Sequence, residues 1–198
     1  MKVSYTYLTQ QFADPKKLLK AATGVVKTGF FTLGPDVESF EKKFARLHNV
    51  KHAIGVANGT DALLLILKAL GIGPGDEVIT AANSFIATAG AIAISGATPV
   101  FVDVQADYTI DPSQIEAAIT TKTKAIIPVH LTGTPADMNA ILKVARRHNL
   151  YVVEDAAQAV NAVYQGTPVG GWGVAGAFSL HPLKNLNIWG DGGVITTN

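Results

Sequence analysis

From Lys51 onward the chain alternates short runs rich in β-branched and other apolar residues with longer amphipathic stretches. That rhythm is the mark of consecutive βα units and predicts an α/β fold, a mainly parallel sheet flanked by helices. The expected strands are His52–Ala57, Glu77–Thr80, Pro99–Val104, Lys124–Val129, Tyr151–Glu154, Ala175–Leu180 and Gly193–Thr197. Several are unbroken apolar runs, as strands covered on both faces require. Between them the period changes to that of a helix. In Asp137–His148, Met138, Ile141, Leu142 and Ala145 form one face, while Asn139, Lys143, Arg146 and Arg147 stay outside. Val37, Phe40, Phe44 and Leu47 stripe a helix before the first strand. Gly73-Pro74-Gly75-Asp76 is a turn before a strand, and Asp111-Pro112 has the form of a helix cap followed by its first helical residue.

Composition narrows the class of partner. The chain has 198 residues, 48% hydrophobic and 16% charged, enough to bury a sizeable core. A net charge of +1 provides no broad field for nucleic acid or an anionic membrane, so small molecules are the expected partners. Without cysteine there is no disulfide, thiolate catalysis or cysteine-bound metal. The N-terminal residues lack the apolar core of a signal peptide, and apolar stretches break before membrane-spanning length, which reads as a cytoplasmic protein. A strand-like segment stops at Asn198 with no closing helix, the expected look of one part of a larger functional unit.

Three segments carry candidate chemistry. In Val56-Ala57-Asn58-Gly59-Thr60-Asp61-Ala62-Leu63 a strand runs through a glycine turn into a helix, whose free N–H groups and dipole suit a phosphate. Simple capping by Asn58 or Thr60 explains the same residues. In Tyr151-Val152-Val153-Glu154-Asp155-Ala156-Ala157-Gln158 a buried strand ends in two carboxylates, at the edge where α/β folds place ligands. Asp155 is the preferred partner for a protonated heteroaromatic nitrogen, with helix capping as its alternative. In Gly176-Ala177-Phe178-Ser179-Leu180-His181-Pro182-Leu183-Lys184-Asn185-Leu186 a strand leads into a turn with a solitary lysine. A partly desolvated lysine becomes an imine-forming nucleophile, although most lysines only solvate a surface.

Other signals fall away. Gly171-Trp172-Gly173-Val174-Ala175-Gly176 matches the dinucleotide fingerprint but precedes a strand instead of following one. Histidines at 48, 52, 130, 148 and 181 show no paired metal-ligand spacing, and His130 and His181 are kept as pocket candidates. There is no G-x-S-x-G elbow and no P-loop.

Read together, these segments resemble the DegT/DnrJ/EryC1/StrS family of pyridoxal-phosphate (PLP) sugar aminotransferases, of fold type I. The resemblance rests on Thr32-Leu33-Gly34-Pro35 with Phe40-Glu41, Asn58-Gly59-Thr60-Asp61-Ala62-Leu63, Asn83-Ser84-Phe85-Ile86-Ala87-Thr88 and Pro128-Val129-His130-Leu131. It continues through Pro135-Ala136-Asp137-Met138, Glu154-Asp155-Ala156-Ala157-Gln158, Ser179-Leu180-His181-Pro182-Leu183-Lys184-Asn185-Leu186 and Gly190-Asp191-Gly192-Gly193.

The resemblance implies that Gly59, Thr60 and Ser179 hold the PLP phosphate and that Phe85 stacks on the pyridine. It also implies that Asp155 pairs with the ring nitrogen, Gln158 contacts the phenolic oxygen, and Lys184 is catalytic, forming the Schiff base. The implied reaction takes an amino group from an amino acid, expected to be glutamate, to a keto sugar expected to be nucleotide-linked. Related dehydratases carry histidine where this chain has Lys184, which favours transamination; a PLP-binding regulatory protein is the other alternative. Asn58 and Asp191 stand where many members have serine and glutamate. Family members are homodimers and continue into a small C-terminal domain. The implied division is therefore an N-terminal helical segment, residues 1–50, and a PLP-binding large domain, residues 51–198, with the small domain absent. Phe30-Phe31-Thr32 is expected either to line the entrance or to serve as core or dimer contacts.

Overall fold

The computed structural model describes residues 3–198. Three helices come first: α1 (Leu8–Gln11), α2 (Lys16–Thr28) and α3 (Pro35–Leu47). The expected stripe on α3 is only partly buried. Phe44 and Ala45 are enclosed, whereas Val37 and Leu47 are more than a third exposed, because only one side of the C-terminal half of this helix packs on the sheet.

The sheet follows in βα order: β1 (His52–Val56), α4 (Gly59–Ala69), β2 (Glu77–Ala81), α5 (Ile86–Ser95), β3 (Thr98–Val102), α6 (Pro112–Ile115), β4 (Thr123–Ile127), α7 (Met138–His148) and β5 (Tyr151–Asp155). A two-strand hairpin, β6 (Val163–Tyr164) with β7 (Thr167–Pro168), precedes β8 (Ala175–Ser179) and β9 (Gly193–Thr197). The seven-stranded order is β1-β9-β8-β5-β4-β2-β3. Neighbours from β8 to β3 run parallel, and β9 lies antiparallel between β8 and β1. The strands expected from sequence all form, with ends displaced by one or two residues.

Alternation along each strand divides the core into two layers. Ala125, Ile127, Val153 and Ala177 face α4 and α5, where Leu63, Leu67, Ala91 and Ile92 are buried. Ile126 and Val152 face α7 through Met138 and Ile141, and on that same side Phe178 and Val194 meet Phe44 of α3. Each such fully buried aliphatic side chain contributes about 1.5–3 kcal/mol. Local signals agree with this packing. Asp137 caps α7 by accepting from the Ala140 N–H at 3.1 Å, and Arg146, Arg147 and His148 complement the dipole at its end. Asp111 caps α6 with Pro112 as its first residue, although α6 is a single turn. Among the described residues no helix is long and apolar enough to cross a membrane.

Candidate active site

The carboxyl ends of β1, β2, β4, β5 and β8 converge on one cleft of ≈ 620 Å³. This is where an open, mainly parallel sheet leaves a crevice between helices on its two faces. Gly59, Thr60, Phe85, Asp155, Gln158, Ser179 and Lys184 all line it, brought together from four separate segments of chain. Tyr5, Ser84, His181 and Asp191 line it as well.

One corner is the start of α4. Asn58 is extended and its side chain accepts from the Asp61 N–H at 2.8 Å, so the capping reading is correct. Capping does not exclude an anion site, because a first helical turn presents further N–H groups without intrahelical partners. Gly59 is demanded by crowding: a Cβ there would sit 2.8 Å from the Ser179 Cβ. Ser179, 8% exposed at the end of β8, thus packs its Cβ against the helix start, and its hydroxyl accepts from the His181 N–H at 3.3 Å.

Asp155, 5% exposed, is held from both sides. The Thr88 hydroxyl donates to Oδ2 at 2.6 Å and the Ala157 N–H donates to Oδ1 at 3.2 Å. Burial pushes its carboxyl above the ordinary carboxylate range, while the Thr88 and Ala157 bonds, the nearby His130 ring and the Lys184 amine oppose the rise. Lys184, half-buried in the turn after β8, moves the other way. Burial lowers its amine below the usual lysine value, and Asp155 counteracts. A cleft amine that gives up its proton more easily than a surface lysine is a better nucleophile.

Two further groups complete the walls. Gln158 Oε1 accepts from the Thr132 N–H at 2.7 Å, which leaves the amide nitrogen as its remaining donor. The Phe85 ring, 66% exposed, stands at the N-terminus of α5 on the cleft rim, an apolar face available to a flat ligand.

The second carboxylate has a different task. Glu154 points to the opposite sheet face and is fully buried. It accepts from the N–H groups of Gly170, Trp172 and Gly173 at 2.7, 2.8 and 2.9 Å and contacts His130 Nε2 at 3.1 Å. Because His130 Nδ1 accepts from the Ala136 N–H, Nε2 carries the proton and donates to Glu154. His130 is therefore a buried structural residue and not a pocket residue. The glycine-rich segment read as a false dinucleotide fingerprint binds an anion after all, an internal one. Phe30 and Phe31 are 61% and 73% exposed and lie neither in the core nor in the cleft lining.

A second depression of ≈ 460 Å³ lies at the opposite sheet edge, where β4 and β5 begin. Its Lys124 and Tyr151 are exposed, and His148 is bonded to Glu116 at 2.9 Å. The chemistry sits in the first cleft. Sequence reading assigned no role to Thr88; the available signal was a threonine four residues after Ser84 on an otherwise small and apolar helix. No cluster of metal-ligating side chains occurs among the described residues.

A helix N-terminus, a buried carboxylate and a half-buried amine around one crevice at the carboxyl edge of a mainly parallel sheet define a class, the large domain of fold type I aminotransferases. Within it the chain belongs to the DegT/DnrJ/EryC1/StrS aminotransferase family, whose model matches residues 13–198. It is 50% identical over its full length to the pleiotropic regulatory protein of Geobacillus stearothermophilus, of which it covers 54%. It is 49% identical over 89% of its length to the dTDP-3-amino-3,4,6-trideoxy-alpha-D-glucose transaminase of Streptomyces venezuelae, covering 47% of that protein. The solved S. venezuelae DesV, in complex with a ketimine intermediate, superposes with a TM-score of 0.95 at 46% identity, over 99% of this chain and 53% of that one. The Bacillus subtilis ntda structure with bound cofactor PMP superposes at 0.87 and 42% identity, over 92% of this chain and 41% of that one. The chain thus spans about half the length of the relatives it matches.

Proposed function

We propose that this chain is the PLP-binding part of an aminotransferase that carries an amino group from an amino acid to a keto sugar linked to a nucleotide. The observation that carries the reading is the pairing, in one cleft, of the half-buried Lys184 amine with the buried Asp155 carboxylate. In this reading residues 1–50 are the N-terminal helical segment and residues 51–198 the PLP-binding large domain.

The residues suit the cofactor group by group. The α4 start at Gly59 and Thr60, with the Ser179 hydroxyl, suits a phosphate; Phe85 suits a ring face; the Gln158 amide nitrogen suits a phenolic oxygen. Asp155 suits a protonated ring nitrogen. When bound, PLP supplies an aldehyde that condenses with amines and a protonated ring that takes up electrons as the donor loses its α proton. Asp155 would keep a proton on the ring nitrogen by its negative charge, and its own bonds to Thr88 and Ala157 hold it in place. Lys184 would hold the cofactor through its Nζ, and the same amine, standing in the cleft, would be placed to act as base and acid toward a donor's α proton.

Substrate class is supported by the dTDP-sugar named for the Streptomyces relative, and glutamate is the expected donor. A nucleotide-linked sugar carries charged phosphates that do not cross a bilayer unaided, which supports a cytoplasmic site of action. Exposed apolar side chains at Phe30, Phe31, Leu33, Phe85 and Ile86 support assembly as a homodimer. Nothing in the charge balance favours nucleic acid or membrane partners.

The test is to add PLP, reduce with borohydride and map the modified peptide. Label is expected on Lys184; label elsewhere, or none, overturns the reading. The regulatory name of the Geobacillus relative supports a second reading, a PLP-binding protein without turnover. Glutamate then discriminates: an aminotransferase converts bound PLP to the pyridoxamine form with loss of its visible absorbance, and a binding-only protein leaves the spectrum unchanged. Lysine at position 184, in place of the histidine of related dehydratases, supports amination over deoxygenation.

A further inference from the structure

Thr88 is a buried threonine in α5 whose neighbours along the helix are small and apolar. Such a hydroxyl needs a partner in the core, and this one has two. It donates to Asp155 Oδ2 at 2.6 Å, and its oxygen is also hydrogen-bonded to the Ser84 hydroxyl. Proton count sets the direction. Thr88 has one proton and an ionised carboxylate has none, so the Thr88 proton goes to Asp155, and Ser84 donates to the closer Thr88 oxygen in preference to the Phe85 carbonyl at 3.3 Å. Ser84 lines the cleft, whereas Thr88 is fully enclosed. The two hydroxyls therefore form a directed chain from the cleft wall to the far oxygen of the carboxylate.

We infer that Thr88 is a positioning residue for Asp155, and that Ser84 extends it into a two-hydroxyl relay holding the carboxylate ionised and oriented toward the cleft. Two physical effects follow. With Oδ2 fixed by Thr88 and Oδ1 by the Ala157 N–H, the carboxylate is clamped against rotation before any ligand arrives. A hydrogen bond donated to the charged form also opposes the desolvation that favours the neutral acid. A neutral Asp155 could not keep a proton on a ring nitrogen, so the relay would decide whether this site works at neutral pH. The inference rests on the proposed role of Asp155.

Other charges around Asp155 must be kept in view. His130 follows β4 and Lys184 follows β8, and both favour its ionised form. Glu154 precedes it on the opposite face, bonded to His130, while Asp61, His181 and Asp191 line the same cleft. None is altered by changing Thr88.

The experiment uses the chain labelled with 13C at aspartate carboxyls, with Asp155→Asn to assign its resonance, titrated without cofactor. Thr88→Val, which keeps the shape and loses the hydroxyl, is expected to move the Asp155 midpoint upward. Thr88→Ser, which keeps the hydroxyl, is expected to leave it near wild type. PLP affinity, measured separately by absorbance, should fall about tenfold or more in Thr88→Val, the scale of one hydrogen bond to a charged group. Ser84→Ala should shift both quantities in the same direction by less. An Asp155 midpoint that does not move in Thr88→Val, or that moves equally in Thr88→Ser, overturns the inference. Should Thr88→Val fail to fold, Ser84→Ala decides, and no change there overturns the relay. A wild-type chain that binds no PLP would instead sink the proposed function, leaving the cofactor-free titration readable.

Discussion

His48 is wedged between two aromatic rings, Phe44 at 4.7 Å and Phe178 at 4.4 Å between centroids. Its Nδ1 proton goes to the Val169 carbonyl at 2.8 Å, and Nε2 is a buried nitrogen without a partner among the described residues. Burial pushes its imidazole below the ordinary 6.5, against the pull of the Val169 carbonyl and the Glu154 charge. The unfolded chain thus binds this proton more readily, and stability rises with pH across the gap between the two values. The contribution is complete above about 6.5 and declines as pH falls from there toward the lowered folded value. Urea midpoints taken from pH 7 to pH 5 should fall. His48→Phe should flatten that slope while costing about 1–3 kcal/mol at pH 7 for the orphaned Val169 carbonyl. At this scale sequence reading was uneven. Adjacent residues on a strand must face opposite sides, so Glu154 and Asp155 could not share a task. Which one faced the cleft was only a preference until α5 was seen to bring Thr88 to Asp155.

The turn from β1 into α4 shows how an element carries a site. Asn58 caps the helix, Gly59 opens it, and β8 and β9 crowd against the same turn. A Cβ at Gly59 would lie 3.3 Å from the Ser179 Cα, and one at Gly193 only 2.3 Å from the Asn58 carbonyl oxygen. Gly59→Ala should therefore force the β8 end away, costing about 1–3 kcal/mol of stability by overpacking. PLP binding should weaken as well; thermal unfolding and cofactor titration check both. Strands with unbroken apolar runs were legible because their period and length leave few alternatives. The β6–β7 hairpin was missed, since two-residue strands have no period to detect and only the left-handed Gln165 (φ 45°) and Gly166 (φ 83°) mark its turn. The glycine-rich loop before β8 was rightly denied a dinucleotide, yet its attachment to Glu154 depends on a partner 16 to 19 residues away.

For the molecule as a whole, Glu154 ties the centre of the sheet to the loop that introduces β8 and, through His130, to the segment after β4. Glu154→Ala would strand three backbone N–H groups and a buried imidazole. A loss of about 3–5 kcal/mol is expected in chemical denaturation, the cost of breaking a buried charged cluster from one side. The exposed Glu38–Lys42 pair, 3.6 Å apart on α3, is the control, and Glu38→Ala should cost about 0.5 kcal/mol or less. The sequence by itself determined the α/β class, the strand positions and seven of the residues that line the cleft, because periodicity and turn chemistry are local and the ordered blocks carry a family resemblance. Only the tertiary structure decided the strand order with β9 reversed, the division of labour between Glu154 and Asp155, the burial of His130 and the linkage of Thr88 to the carboxylate. Those depend on which side chains meet across the sheet, a long-range packing outcome that no local pattern encodes.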